Sequence, residues 1–279
     1  MIVTVVTPSF RQLELLKLCC ASVSDQTGKF EVEHLIHDGL SGSEFNHWAA
    51  QYAPAGWISE KDGGMYDAIN RGFLRGRGEI MAWLNCDEQY LPGTLDAVTR
   101  AFREDSELDI VFGDVVVVDG EGSPESYRMA LIPKVGHIRY CTLATFSAAT
   151  FVHRRIIDRG FLLDSRWKTI ADAVWIERII NNGFKSAVIG QPLASFQRTG
   201  ENLGQTRQAV DELTQWRRET GSTNSLLRRA SAWAHHLRKW RRGAYRSRAV
   251  EASIYDTVPG QRRPRVAVVN ERWRVEDPT

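Results

Sequence analysis

Residues 59–92, SEKDGGMYDAINRGFLRGRGEIMAWLNCDEQYLP, limit the fold more than any other part of the chain. A polar start, Glu60-Lys61-Asp62-Gly63-Gly64, gives way to a run in which Met65, Ile69 and Phe73 recur every four residues, the spacing of one helix face. Gly76 and Gly78 stop that helix. Residues 80–84 then form a short apolar run of the kind that makes a buried strand. The chain turns polar at once, as Asn85-Cys86-Asp87-Glu88. In open α/β sheets, ligands sit outside the carboxyl ends of the strands. Two acids there can ligate a hard cation such as Mg or Mn, with substrate phosphates and water completing the shell. They can equally form a solvated acidic turn capping a helix that begins near Pro92-Gly93-Thr94.

Taken whole, the segment resembles the nucleotide-sugar binding segment of family 2 glycosyltransferases, roughly D-x-G-x-Y-D-A-x-N-x-G, then G-E, then x-L-N-x-D-D. The matching residues are Asp62, Gly64, Tyr66, Asp67, Ala68, Asn70, Gly72, Gly78, Glu79, Leu84, Asn85 and Asp87. The resemblance covers residues 1–204 and implies an α/β fold of GT-A (Rossmann-like) type, a mixed sheet flanked by helices. Residues 1–115 then form the nucleotide half, 116–204 the acceptor half, and 205–279 a helical, basic extension.

The implied activity is that of an inverting, metal-dependent hexosyltransferase of the bacterial surface-polysaccharide or colanic-acid type. Its donor is a nucleotide sugar, with UDP favoured by family frequency, and its acceptor a glycan or lipid-linked hydroxyl. The resemblance makes Asp87 the ligand of Mn or Mg. Glu88, standing where the family usually has Asp, is a second candidate ligand. It places Thr7, Pro8, Ser9, Asp38, Asp62, Gly64, Tyr66, Asn70, Arg71, Asn85 and Cys86 around the nucleotide sugar.

At 279 residues the chain is long enough for one α/β domain and an extension, and its 43% hydrophobic content suits a globular core. A net charge of +2 argues against nucleic acid as a general partner. The opening MIVTVVTPSF lacks a basic leader region, predicting no signal peptide, and no stretch approaches the ~20 apolar residues of a membrane span. Cys19, Cys20, Cys86 and Cys141 lack CxxC spacing and read as reduced thiols of a cytoplasmic protein.

Residues 2–7 and 32–36 read as strands around a helix that turns Leu15, Leu16, Cys19, Cys20 and Val23 inward, which is a βαβ unit. No GxGxxG or P-loop is present. Asp38 reads from its neighbours as an Asp-Gly turn, and by resemblance as a ribose or base contact. Arg71 can pair with Asp67 at i,i+4 or, by resemblance, face a diphosphate. Residues 109–118 are a β-branched strand, with a hairpin turn at 119–122 and a return strand at 127–132. Asp114, a charge inside an apolar strand, needs a partner, and the resemblance places it on the acceptor side.

Asp172 opens a helix that Gly183 ends. It can cap that helix, and the resemblance gives it the role of general base. By the resemblance, Arg198-Thr199-Gly200 stands where many relatives carry a polar, glycine-containing loop, sometimes with histidine; it holds none here, so a third protein ligand to the metal has no support.

Within 224–248, Leu226, Ala230, Trp233, Leu237, Trp240 and Ala244 recur every three or four residues among many arginines. Such a helix can lie on an anionic membrane surface, peripheral to the bilayer. It can also pack on its own domain or on a second copy as a homodimer. The tail, Val266 to Val269 and Trp273, reads as an edge strand or irregular chain. Two other readings compete: a sugar-nucleotide-forming nucleotidyltransferase, disfavoured because its glycine-rich basic loop is missing after Thr7, and a non-catalytic nucleotide-sugar binding module.

Overall fold

A computed structural model describes residues 1–52, 56–198, 206–257 and 260–271. Thr199, Gly200, Trp273 and the 204/205 boundary lie outside the described residues. Four parallel strands, β1 (Ile2–Ser9), β2 (Glu31–Asp38), β3 (Gly56–Ser59) and β4 (Ile80–Trp83), lie in the order β3-β2-β1-β4. They are joined by α1 (Leu13–Ser24), α2 (Ser43–Tyr52) and α3 (Met65–Arg75). Beside β4 runs the antiparallel β8 (Thr150–His153), and then β6 (Ile110–Val118). Next come β9 (Ser186–Gln197), parallel to β6, and β5 (Glu88–Tyr90), antiparallel to β9. β7 (Pro124–Arg128) pairs with the second half of β6. The remaining helices of this part are α4 (Thr94–Glu104), α5 (Val135–Tyr140), α6 (Arg155–Asp158) and α7 (Ala171–Asn181).

Alternation along the strands builds a core on each side of the sheet. Val6, Met81, Trp83, Ile110 and Phe112 join α3 and α7 in one cluster. Val3, Val5, Ile80, Ala82 and Val111 join α1 and α4 in the other. In the first, Trp83 meets Trp175 edge-on, 5.5 Å between ring centroids, and Phe73 lies 5.9 Å from Trp83. This aromatic stack fixes the last turn of α3 and the first half of α7 against the end of β4. Gly72 lets α3 approach the sheet, since a Cβ there would lie 2.4 Å from Val6 Cγ1. Gly113 does the same for β9, where a Cβ would lie 2.2 Å from Leu193 Cδ1. The β6/β9 register shifts next to it, on both sides of Asp114.

The strand after the 119–122 turn is Pro124–Arg128, earlier than the predicted 127–132. Glu88 is the first residue of β5, no longer part of a turn. The extension is not helical throughout. After α8 (Arg207–Glu219) and α9 (Ser225–Arg241), β10 (Arg248–Ile254) and β11 (Arg263–Val269) form a separate two-stranded sheet. Val250, Ala252, Ile254 and Val269 pack on Val116, Val118 and Tyr127. Arg262 anchors this hairpin: its guanidinium donates to both oxygens of Asp25 (2.5 and 2.8 Å), to Tyr90 O and to Ser22 O.

The apolar stripe of α9 faces outward. Leu226, Trp233 and Trp240 are 73%, 67% and 65% exposed, whereas Lys239, on the opposite face, is 2% exposed. The helix lies against α5 through that opposite face, where His235 stacks on His137 with ring centroids 4.0 Å apart. The packing of this stripe on its own domain is therefore not what holds α9. Among the described residues no helix is long and apolar enough to cross a membrane.

Candidate active site

A cleft of about 1940 Å³ opens where β1 and β4 end and α3 and α7 begin, and it continues to α8 and α9. Pro8, Ser9, Asp62, Gly64, Tyr66, Asn85, Cys86, Asp87, Glu88 and Asp172 line it. At its sheet end the Cys86 thiol donates to Pro8 O (3.2 Å), tying the carboxyl ends of β4 and β1 together. Burial pushes that thiol up to about 12, so it is a structural hydrogen-bond donor and no nucleophile. Asp62 Oδ1 accepts from the Gly64 N–H at 2.8 Å. Gly64, at φ 110°, makes the turn into α3 that a side chain would strain.

Five residues predicted around the ligands have other work. Thr7 is turned into the core, its hydroxyl bonded to His34 Nε2 at 2.8 Å. Asp38 is fully buried and accepts from Ser41 N–H, Ser41 Oγ and Ser59 Oγ (2.8, 2.5 and 2.7 Å), so it braces the loop beyond β2. Asn70 donates to Leu163 O (2.8 Å) and accepts from Leu163 N–H (3.0 Å), clamping α3 to the segment before α7. Arg71 pairs with Glu60 (2.7 Å) and Asp67 (2.8 Å) at the surface. Asp114 accepts from the Tyr127 hydroxyl (2.5 Å) and the Ala130 N–H (2.6 Å), inside the β6–β7 hairpin. Each has partners within the fold, and none is among the residues that line the cleft.

Asp87 and Glu88 adjoin at the start of β5. Burial raises Asp87 above its ordinary range. Burial, and next the charge of Asp87, raise Glu88 to about 8. Glu88 Oε2 accepts from the Asn85 N–H (2.9 Å), while Oε1 is buried and without a hydrogen-bond partner among the described residues. Two desolvated carboxylates with an open oxygen fit a divalent cation, which would relieve their repulsion. Among the described residues no group of three or more His, Cys, Asp or Glu side chains is placed to hold a metal. A shell of one or two carboxylates, completed by phosphate oxygens and water, would suit Mg or Mn.

Asp172 sits in the first turn of α7, whose N-cap is Ile170. Its Oδ1 accepts from the Ala173 N–H (2.8 Å) and from the Tyr66 hydroxyl (3.3 Å). Burial raises its carboxyl, and these two bonds draw it back down. The loop before it is held by α8: Glu212 accepts from the N–H of Lys168 (3.0 Å) and Thr169 (2.9 Å) and from the Thr169 hydroxyl (2.8 Å). Sequence reading missed Glu212, a polar-face residue of a plain amphipathic helix. It also missed the far wall of the cleft, where Arg128, His137, Arg217, Arg228, His235 and Lys239 come together from four elements.

This sheet order, with acids beyond the parallel strands, is that of a GT-A glycosyltransferase fold. The chain is structurally similar to S. aureus TarS 1–349 crystallised with UDP-GlcNAc, with a TM-score of 0.61 at 15% identity over 83% of this chain and 70% of that one. It is similar in the same way to that protein with UDP, at TM-score 0.60, covering 86% and 71%. Residues 4–159 match the model of Glycosyl transferase family 2, and the chain belongs to that family. Among curated proteins it is 34% identical over 90 residues to the uncharacterized glycosyltransferase Rv1514c of Mycobacterium tuberculosis, covering 32% of this chain and 34% of that protein. It is 31% identical over 123 residues to the PGL/p-HBAD biosynthesis glycosyltransferase Rv2957 of the same organism, covering 41% and 46%. The chain thus spans less than half the length of these relatives. The family match ends before Asp172, so the place of that residue rests on geometry.

Proposed function

We propose that the chain transfers a sugar from a nucleoside diphosphate sugar to an acceptor hydroxyl, with inversion at the anomeric carbon. The observation that carries this reading is that Asp87, Glu88 and Asp172, from different parts of the chain, line one cleft together with Tyr66. UDP is the favoured carrier, supported by the TarS structures that bind UDP and UDP-GlcNAc on a similar fold. Asp87, with Glu88 beside it, would hold Mn or Mg. When bound there, such an ion would supply Lewis-acid stabilisation of charge on the leaving diphosphate.

Asp172 accepts the acceptor's hydroxyl proton while that oxygen bonds to the anomeric carbon and the carbon–diphosphate bond breaks. Tyr66, donating to Oδ1, holds the carboxylate in place and leaves Oδ2 for the proton. No covalent intermediate is needed, because base and leaving group act on opposite sides of the sugar.

The acceptor we propose is a glycan or lipid-linked sugar of bacterial polysaccharide assembly, met at the cytoplasmic face of the membrane. The outward stripe of α9 supports this: Leu226, Trp233 and Trp240 are exposed, and helical geometry sets Arg229 and Arg241 on its two flanks. The test is release of UDP from UDP-sugars by the purified chain, with and without MnCl2. Loss of Mn-dependent release in Asp172→Asn, with UDP binding retained, is the expected result. Equal release in wild type and variant refutes the assignment.

A further inference from the structure

Beyond Asp172 the cleft changes character. Its α5–α8–α9 wall carries Arg217 and Arg228, and Arg128 borders it from the end of β7. The Arg217 guanidinium donates through Nη2 to Cys141 O, on the residue after α5, and the Cys141 thiol donates to the backbone carbonyl of Arg228 at 3.5 Å. Burial, and next the charge of Arg228, lower Arg217 below the ordinary range of an arginine. The Nε atoms of Arg217 and Arg128 are buried and, among the described residues, lack hydrogen-bond partners.

No described carboxylate pairs with Arg128, Arg217 or Arg228. Glu271, the acid that lines this end, is held by Lys239 Nζ at 2.5 Å and by the Met129 N–H at 3.2 Å. Arg128 and Arg217 are part-buried, and a guanidinium desolvated without a counter-ion is costly until an anion arrives; the exposed Arg228 adds its charge beside Arg217. The planar fork of arginine matches phosphate oxygens in pairs. Several such charges in one wall suit a multiply charged group better than a single carboxylate.

The stacked rings of His137 and His235 line the same cleft. His137 Nδ1 is buried without a partner among the described residues, so it can add a neutral hydrogen bond.

We propose that Arg128, Arg217 and Arg228 form a subsite for a phosphate or diphosphate group carried by the acceptor. The inference rests on the transferase reading of the same cleft, and it names the class of acceptor. The donor's own diphosphate belongs at the rim that carries Asp87 and Glu88. A second anion on the α5–α8–α9 wall is therefore a feature of the molecule that brings the attacking hydroxyl to Asp172.

The test is calorimetric titration of the full chain with inorganic pyrophosphate in EDTA, where the acidic rim has no cation to attract it. Saturable binding is expected, weakened at least tenfold in Arg217→Gln/Arg228→Gln. The same loss is expected in Arg228→Glu, an exposed position whose change leaves the fold intact, as a thermal melt will verify. No saturable binding in the wild type, or equal affinity in both variants, overturns the proposal. UDP binding in MnCl2, measured on the same proteins, is expected to survive both variants and to fail in Asp87→Asn. Should UDP not bind the wild type, the transferase reading falls, and the acceptor assignment with it, whatever pyrophosphate does.

A bilayer headgroup is the other source of such a phosphate. Sedimentation with phosphatidylcholine vesicles containing phosphatidylglycerol is expected to be the same for the wild type and Arg217→Gln/Arg228→Gln. Vesicle binding lost in that variant would give the arginines to the membrane and overturn the acceptor assignment.

Discussion

The Tyr66 hydroxyl donates to Asp172 Oδ1 across 3.3 Å, linking the first turn of α3 to the first turn of α7 over 106 residues of sequence. The bond joins the family's glycine-rich turn to an acid that lies beyond the matched family segment. It also lowers the Asp172 carboxyl against the burial that raises it. In Tyr66→Phe, kcat should fall about 10- to 100-fold while the affinity for UDP stays within twofold, since one hydrogen bond to a charged group is worth about 1.5–3 kcal/mol. The acid limb of the pH–rate profile should move to higher pH, because the remaining influence, burial, favours the protonated carboxyl. A limb that stays in place, or moves down, would show that Tyr66 does not act through Asp172.

Asp172→Asn removes the base and leaves the cleft's shape. Turnover should drop by about 10²- to 10⁴-fold, the usual worth of a positioned base. The affinity for UDP with Mn should be unchanged. In Asp87→Asn the order reverses: Mn-dependent UDP affinity is lost first. Calorimetry and steady-state kinetics on the same preparations separate the two.

Glu212→Gln should loosen the segment that leads into α7. Its carboxylate meets two N–H groups and a hydroxyl, which together hold it below its ordinary range although burial would raise it. The amide should reduce stability by about 1–2 kcal/mol and reduce kcat, with no change in the metal dependence of UDP binding. Denaturant melts and turnover at saturating donor provide the readouts.

His34 is fully buried, its pKa lowered by that burial from 6.5 to about 4. His137 and His235 are lowered, first by burial, to about 4 and about 3. At these histidines the unfolded chain binds protons that the folded chain refuses, so their contribution to stability is complete above pH 6.5 and declines as pH falls from there towards about 4. His34 alone should account for about 3 kcal/mol across that window, and the two part-exposed rings for less. Urea melts at a series of pH values, compared with His34→Gln, should show a shallower decline in the variant.

Much of the amino-terminal half is legible from the chain itself. The apolar runs of β1 and β4, the four-residue spacing of Met65, Ile69 and Phe73, and the stop at Gly76 each depend on local chemistry. Asp38, Asn70 and Asp114 are different. A buried polar residue looks the same in sequence whether its partner is a ligand or a neighbouring loop, and here Ser41, Leu163 and Tyr127 are the partners. The α9 stripe is a further case: periodicity finds an apolar face but does not say where it points. The inner face is made of His235 and Lys239, whose fit depends on α5 and on Glu271. β10 and β11 were hidden because their basic, alternating sequence needs β7 as a floor.

The Arg262–Asp25 fork gives the chain a closed belt. The β10–β11 hairpin is buttoned to the end of α1, so segments 237 residues apart order each other. A recombinant fragment trimmed to the family boundary would leave Asp25, Tyr90 O and Ser22 O without their shared cation and strip the cover from Val116 and Val118. Such a fragment should be prone to clumping, and swapping tails between homologues should succeed only when the first helix travels with them.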